Sequence, residues 1–251
     1  MKRDELATYL NGYLNTEIFQ DYAPNGLQIS GKDEVRVICT AVSASLSTIL
    51  TAVQHKADAL LVHHGFFWRG EAPTLLGIKR ERIAQLLVHD INLFAFHLPL
   101  DCHTVIGNNA CIGRLLDVRD VTSHRQGKNR DLLWAGTLEK ALNPEDFMTL
   151  LTGKFERLPV HLKAPKSMIQ HIAWCSGAAQ DFIDDAALLG VDAYLSGEMS
   201  ERTYYQAKEH DIHYFACGHH ATERLGVRSL GEHLATTYDL THYFIDADNP
   251  V

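Results

Sequence analysis

Two short apolar runs, one helix length apart, constrain this chain more than any other feature. Residues 35–42 are apolar and β-branched, and residues 59–62 (Ala-Leu-Leu-Val) form a second strand-sized run. Between them Leu46, Ile49, Leu50 and Val53 fall at helical spacing, with Ser43 or Ser45 placed to cap the helix. Parallel strands need a crossover of about a dozen residues or more, most often a helix, so this spacing reads as a βαβ unit. The alternation continues with a helical pattern over 78–89 and an apolar run over 91–96. The expected class is therefore α/β, with mixed or mainly parallel sheets.

The second half echoes the first. Laying residue 38 on residue 172 without a gap matches Ile38 to Ile172, Ile49 to Ile183, Ala52 to Ala186, Asp58 to Asp192, Ala59 to Ala193 and Leu61 to Leu195. After a shorter loop, His89-Asp90-Ile91 falls on His210-Asp211-Ile212 and Phe94-Ala95 on Phe215-Ala216. Two similar α/β domains are expected. The polar and basic stretch 119–130 marks a boundary, giving domains of residues 1–124 and 125–251. Strands are expected at 132–138, 160–162 and 169–175, and a helix over 144–151 capped by Asn143.

Ligand-binding groups in such folds lie just past the carboxyl ends of the strands. There the chain places His63-His64-Gly65, His97 with Asp101, and His219 with Glu223. Adjacent side chains on a regular strand point to opposite faces, so His63 and His64 suggest two ions, one histidine to each. Gly65 lets the chain bend after the pair. His219 and Glu223 are four apart at the start of a helix, which puts both on one face. The chain has 15 histidines; those at 55, 89, 103, 124, 161, 171, 210, 213, 220, 233 and 242 lack this placement and are read as structural. Mixed histidine and carboxylate ligation suits Zn, Mn, Fe, Co or Ni.

Other classes find no support. A net charge of -8 without a Lys/Arg block argues against nucleic acid and against an anionic membrane. The five cysteines form no CxxC pair and read as buried thiols in a reducing cytoplasm, Cys102 among them as packing. Asp4 and Glu5 stand where a signal peptide would begin its apolar core, and no apolar run is long enough to span a bilayer. No G-x-S-x-G, P-loop or G-x-G-x-x-G motif occurs.

LLVHHGFFW at 60–68, FHLPLD at 96–101, GNNA at 107–110, SGE at 196–198 and GHHATE at 218–223 closely resemble the NIF-three-like family, as does YAPNGLQ at 22–28. Members of that family are often labelled homologues of the type-two GTP cyclohydrolase I. The resemblance implies interlinked domains with a dinuclear metal site in the cleft between them, and a toroidal homohexamer built from dimers. It makes His63, His64, Asp101, His219 and Glu223 the metal ligands, Glu223 the bridge, and His97 and Glu198 outer or catalytic residues. One departure is the run Gly177-Ala178-Ala179, where the family pattern has glycines. Two divalent ions on two carboxylates and neutral histidines stay net positive and attract an anionic small molecule. The expected activity is metal-dependent hydrolysis of a nucleotide-like or phosphorylated compound; the alternative is a non-catalytic metal-binding scaffold or regulator.

Overall fold

The computed structural model describes residues 1–251. In chain order the elements are α1 (Arg3–Tyr13), β1 (Gly26–Ile29), β2 (Val37–Ser43), α2 (Leu46–Gln54), β3 (Ala59–His64), α3 (Gly77–Val88), β4 (Asn92–Ala95) and α4 (Leu98–Cys102). There follow α5 (Asn108–Leu115), β5 (Arg119–Gln126), β6 (Asn129–Leu142), α6 (Pro144–Phe155), β7 (Val160–Leu162), β8 (Ile169–Trp174) and α7 (Ile183–Leu188). The chain closes with β9 (Ala193–Ser196), α8 (Glu201–Glu209), β10 (His213–Ala216), α9 (His219–Tyr238) and β11 (Thr241–Phe244).

One compact unit comprises residues 1–100 and 226–248, the other residues 101–225 and 249–251. The division at 124/125 read from the polar stretch is thus replaced by one at 100/101. The reason is packing: Ala110, Ile112 and Leu116 in and after α5 share a core with Trp134, Phe147 and Trp174 of the second unit. Residues 119–130 are not a boundary loop but the two arms of the β5–β6 hairpin, turned at Gly127 with φ +57°. The β5 arm is largely exposed, and an antiparallel strand with a wet face is polar for the same reason a linker is.

The first unit's sheet runs β1-β4-β3-β2-β11, with β2, β3, β4 and β11 parallel and β1 antiparallel at the edge. Residues 59 to 62 of β3 are buried on both sides, each large side chain contributing about 1.5–3 kcal/mol. Ser45 proves to be the cap of α2, its hydroxyl accepting the Thr48 N–H at 3.1 Å. The second sheet runs β5-β6-β8-β9-β10-β7. Its alternate residues feed two cores: Ile172 and Trp174 face α5 and α6, while Ala173 and Cys175 face α7 and α8.

The predicted echo between the halves is present in the pairing register. Ile38 pairs with Ala59 and Ala59 with Asn92; Ile172 pairs with Ala193 and Ala193 with His213. Leu27 of β1 meets Phe94, and His161 of β7 meets Phe215. The same carboxylate latch recurs below each sheet. Asp58 accepts the N–H groups of Arg36 and Val37 at 2.9 and 3.0 Å and binds Lys32 at 2.7 Å. Asp192 accepts those of Gln170 and His171 at 3.0 and 2.9 Å and binds Lys166 at 3.1 Å.

Candidate metal centre

In the first unit the donors sit at strand ends. His63 is buried and its Nδ1 donates to the Phe96 carbonyl at 2.9 Å, which leaves the lone pair on Nε2. Nδ1 of His64 meets the Ser43 hydroxyl at 3.1 Å, and Nδ1 of His97 meets the Asp21 carboxylate at 2.7 Å. Each of the three rings offers a nitrogen within 4.8 Å of the others. The divergence expected of adjacent strand residues is not seen at this rim, where the His63 and His64 rings lie 4.7 Å apart between centroids. A Cβ on Gly65 would come within 2.3 Å of Gln28 Oε1 and 2.6 Å of Ala95 Cβ, so the strand end needs glycine for close approach.

In the second unit all three donors ride on helices. Asp101, buried at the end of α4, accepts Asn108 Nδ2 at 2.9 Å and the Ser176 hydroxyl at 2.8 Å through Oδ1. His219 and Glu223 stand one turn apart on α9, with Nε2 and Oε2 at 3.1 Å. The other ring nitrogen of His219, Nδ1, lies 2.6 Å from Glu198 Oε1. Burial alone would lower His219, but Glu223 and then Glu198 outweigh it and hold the ring up at about 9. Two carboxylates around one imidazole make a place that attracts a cation. Backbone completes the cradle, since a Cβ on Gly177 would reach 3.3 Å from His219 Nε2 and collide with Glu223 Oε1 at 2.2 Å.

These donor sets fit a divalent ion. They are nitrogen and oxygen only, the His63 tautomer is preset, and His219 has the Glu198 carboxylate behind its ring, the usual outer partner of a metal-binding imidazole. Glu198, expected to be outer or catalytic, is placed as the partner of the His219 ring. All five cysteines are buried and free of disulfides; burial pushes the Cys39 thiol up to about 12.

Many of the remaining histidines have structural duties. His161 and His213 bond each other at 2.9 Å, His242 bonds Thr40, His210 bonds Asp184, and His103 accepts the Val105 and Ile106 amides. Three supporting residues escaped the sequence reading: Asp21, Asn108 and Ser176. All three lie in or beside motifs that were noticed, but nothing in their spacing assigned Asp21 to His97 or the other two to Asp101.

The profile of the Duf34/NIF3 (NGG1p interacting factor 3) family matches residues 1–250. The chain belongs to this family. Within Duf34/NIF3 it is 46% identical over 248 residues, 98% of both chains, to a protein of Pasteurella multocida named GTP cyclohydrolase 1 type 2 homolog. It is 43% identical over 251 residues, the whole of both chains, to the Escherichia coli K12 protein of the same name. A solved structure described as protein ybgI, of unknown function, superposes with a TM-score of 0.94 at 43% identity, covering all of both chains. The two-sheet α/β fold of this chain is therefore that of its family. No helix is long and apolar enough to cross a membrane.

Proposed function

We propose that His63, His64, Asp101, His219 and Glu223 ligate two divalent ions, with Glu223 as the bridge, and that the centre hydrolyses an anionic small molecule of nucleotide-like or phosphorylated type. The observations that carry this reading are, in the first unit, the His63 and His97 rings each engaged from behind through Nδ1 and, in the second, the buried carboxylates of Asp101 and Glu223 with the His219 ring held through Nδ1 by Glu198. The names of the curated relatives point the same way toward nucleotide chemistry. Bound divalent ions supply Lewis acidity and an acidified water near neutral pH.

The chain's own groups do the rest. His63 and His64 present neutral nitrogens, Asp101 and Glu223 leave the loaded centre net positive toward an anion, and Glu198 keeps the His219 ring from turning. His97 shares the rim with His63 and His64 and is the group suited to hold a proton. No guanine-reading element is identifiable, so the substrate is assigned by class and not as GTP.

The test is to load the purified chain with Zn, Mn, Fe, Co or Ni in turn and screen nucleotides and phosphoesters beside His63→Ala and His219→Ala. Turnover that is lost in both variants supports the proposal. Stoichiometric metal binding with no turnover under any metal would leave the scaffold or regulator reading in its place. The cytoplasmic homohexamer, a trimer of dimers, belongs to the same proposal; large apolar side chains such as Leu76, Ile78 and Leu188 lie exposed on the single chain. Light scattering at micromolar concentration measures it.

A further inference from the structure

The segment YAPNGLQ at 22–28, with Asp21 before it, carries the Pro and Asn-Gly signals of a turn and is not used by the proposed ligand set. In the structure nearly every polar side chain in it is spent on two strand ends. Gln28 accepts the Phe66 N–H through Oε1 at 2.8 Å and donates from Nε2 to the Phe66 carbonyl at 3.1 Å and the Pro24 carbonyl at 2.9 Å. It therefore braces the chain just past His63-His64-Gly65. Asn25 and Asp21 do the same for His97. Asn25 Oδ1 accepts the His97 N–H at 2.8 Å, and Asn25 Nδ2 donates to Asp21 Oδ2 at 2.9 Å. Asp21 Oδ2 also accepts the Leu98 N–H at 2.9 Å, and Oδ1 takes His97 Nδ1 at 2.7 Å and the Tyr22 N–H at 2.6 Å.

Such a carboxylate is over-committed for an ordinary surface turn. The Asp21 side chain is 4% exposed and that of His97 16%. Burial would push the Asp21 carboxyl up, but the donors around it, His97 first, hold it down at about 2. Arg69 closes the outer side, its Nη2 donating to the Asp21 carbonyl at 2.9 Å and its N–H to the Tyr22 carbonyl at 2.7 Å. Trp68 stands edge-on to the His97 ring, 5.1 Å away. The ring is thus fixed in position, in tilt and in which nitrogen carries the hydrogen.

We infer that Asp21 is the positioning residue for His97: it fixes the Nδ1–H tautomer and keeps Nε2, on the rim shared with His63 and His64, as the site's proton acceptor. The inference rests on the hydrolytic reading for its purpose, though not for its geometry. In the step it serves, an O–H bond of the attacking water breaks and its proton forms an N–H bond at Nε2. The resulting imidazolium is balanced by the Asp21 carboxylate, and the same proton then passes to the leaving oxygen, restoring the neutral ring. Asn25 acts one layer out, holding the carboxylate plane through Oδ2 and the His97 backbone through its amide oxygen.

Neutron diffraction from deuterium-exchanged crystals of the full chain, metal-free and at mildly alkaline pH, reads the tautomer directly. Wild type is expected to carry deuterium on His97 Nδ1 and none on Nε2; in Asp21→Ala it moves to Nε2 or the ring rotates. Deuterium on Nε2 in the wild type, or an unchanged His97 in Asp21→Ala, overturns the inference. Asp21→Asn is the second variant, since its amide oxygen can still face Nδ1 while its NH2 opposes the Leu98 N–H. It should keep the tautomer at lower occupancy of the ring position. With whatever substrate the chain turns over, Asp21→Ala should lower kcat about 100-fold, within the range for a positioned base, with KM and metal content little changed. A fall in metal content instead assigns Asp21 to metal retention and overturns the proton-acceptor role. If no substrate is found, the hydrolytic reading fails alone and the tautomer still decides the positioning claim.

Discussion

β3 and β9 occupy the same place in their sheets, reached by the same strand–helix–strand path, yet they end in opposite ways. The first unit ends β3 in His63-His64 and follows β4 with His97, so imidazoles hang from the strand ends themselves. The second unit puts glycine at the matching points: Gly177 past β8, Gly197 after β9 and Gly218 after β10. Each is crowded, a Cβ on Gly197 coming within 2.7 Å of both the Gly177 carbonyl oxygen and His219 Cα. At Gly177 and Gly197 the space is taken by the start of α9, which carries His219 and Glu223, and at Gly218 by the Arg157 side chain. One unit carries imidazoles at its strand ends and the other leaves room there for side chains brought by a helix. The scaffold beneath, down to the Asp58 and Asp192 latches, is alike in the two units while the rims differ.

The sharpest way to break this contrast is to remove donors from each side. His63→Ala and Glu223→Ala should each weaken metal binding by more than about 100-fold, against about 10–100-fold for Glu198→Gln, which loses only the outer partner. Competition with a chelator of known affinity measures all three. Full affinity in a variant from either unit would remove that unit's residues from the ligand set.

Next in size is Gly197→Ala, which forces a methyl against backbone and should cost about 2–3 kcal/mol. Chemical denaturation detects it, and a neutral result would show that the second rim is not built around close approach. The latches test what the halves share. Asp58→Asn and Asp192→Asn should each lose about 1–3 kcal/mol near neutral pH, by similar amounts if the two units are true copies. In both aspartates burial raises the carboxyl, and the lysine and amide donors outweigh it and lower the net value. Each latch therefore stabilises above the unfolded carboxylate value of about 3.9, and that stability is lost as pH falls through the depressed folded value. Acid-unfolding curves of the variants should be flatter than wild type below about pH 4. Smallest is Ser45→Ala, about 1 kcal/mol for the lost cap of α2, visible as a slight drop in Tm. At the equivalent point of the second unit stands Ala179, which opens a 3-10 turn (Gln180–Phe182) ahead of α7, and neither that turn nor α7 has a side-chain cap.

Much of this was readable before any coordinates. The apolar run ending in His63-His64 could hardly be other than a buried strand with polar atoms at its rim, and the ungapped match of 38 to 172 carried through to the paired residues of both sheets. What stayed hidden depended on chain reversal. Asp21 lies 76 positions before His97 and 2.7 Å from it, and no periodicity reports a contact of that kind. Ser176 reaches Asp101 from 75 positions away in the same manner. The division between the units was misplaced because an edge hairpin in water has the composition of a linker. At the departure Gly177-Ala178-Ala179, Ala178 is exposed, and the position that meets His219 and Glu223 is the first, the glycine Gly177.

That first position has a consequence of its own. Gly177 is pinned at both ends, its N–H donating to Thr222 Oγ1 at 3.0 Å and its carbonyl accepting the Ser196 hydroxyl at 3.0 Å and the Gly197 N–H at 2.8 Å. The wall against which Glu223 and His219 rest is therefore peptide and not side chain. A wall of that kind has no rotamers to sample, no proton to gain or lose and no sulfur to oxidise. Its shape should be the same in acid and base, and the same before and after an ion arrives.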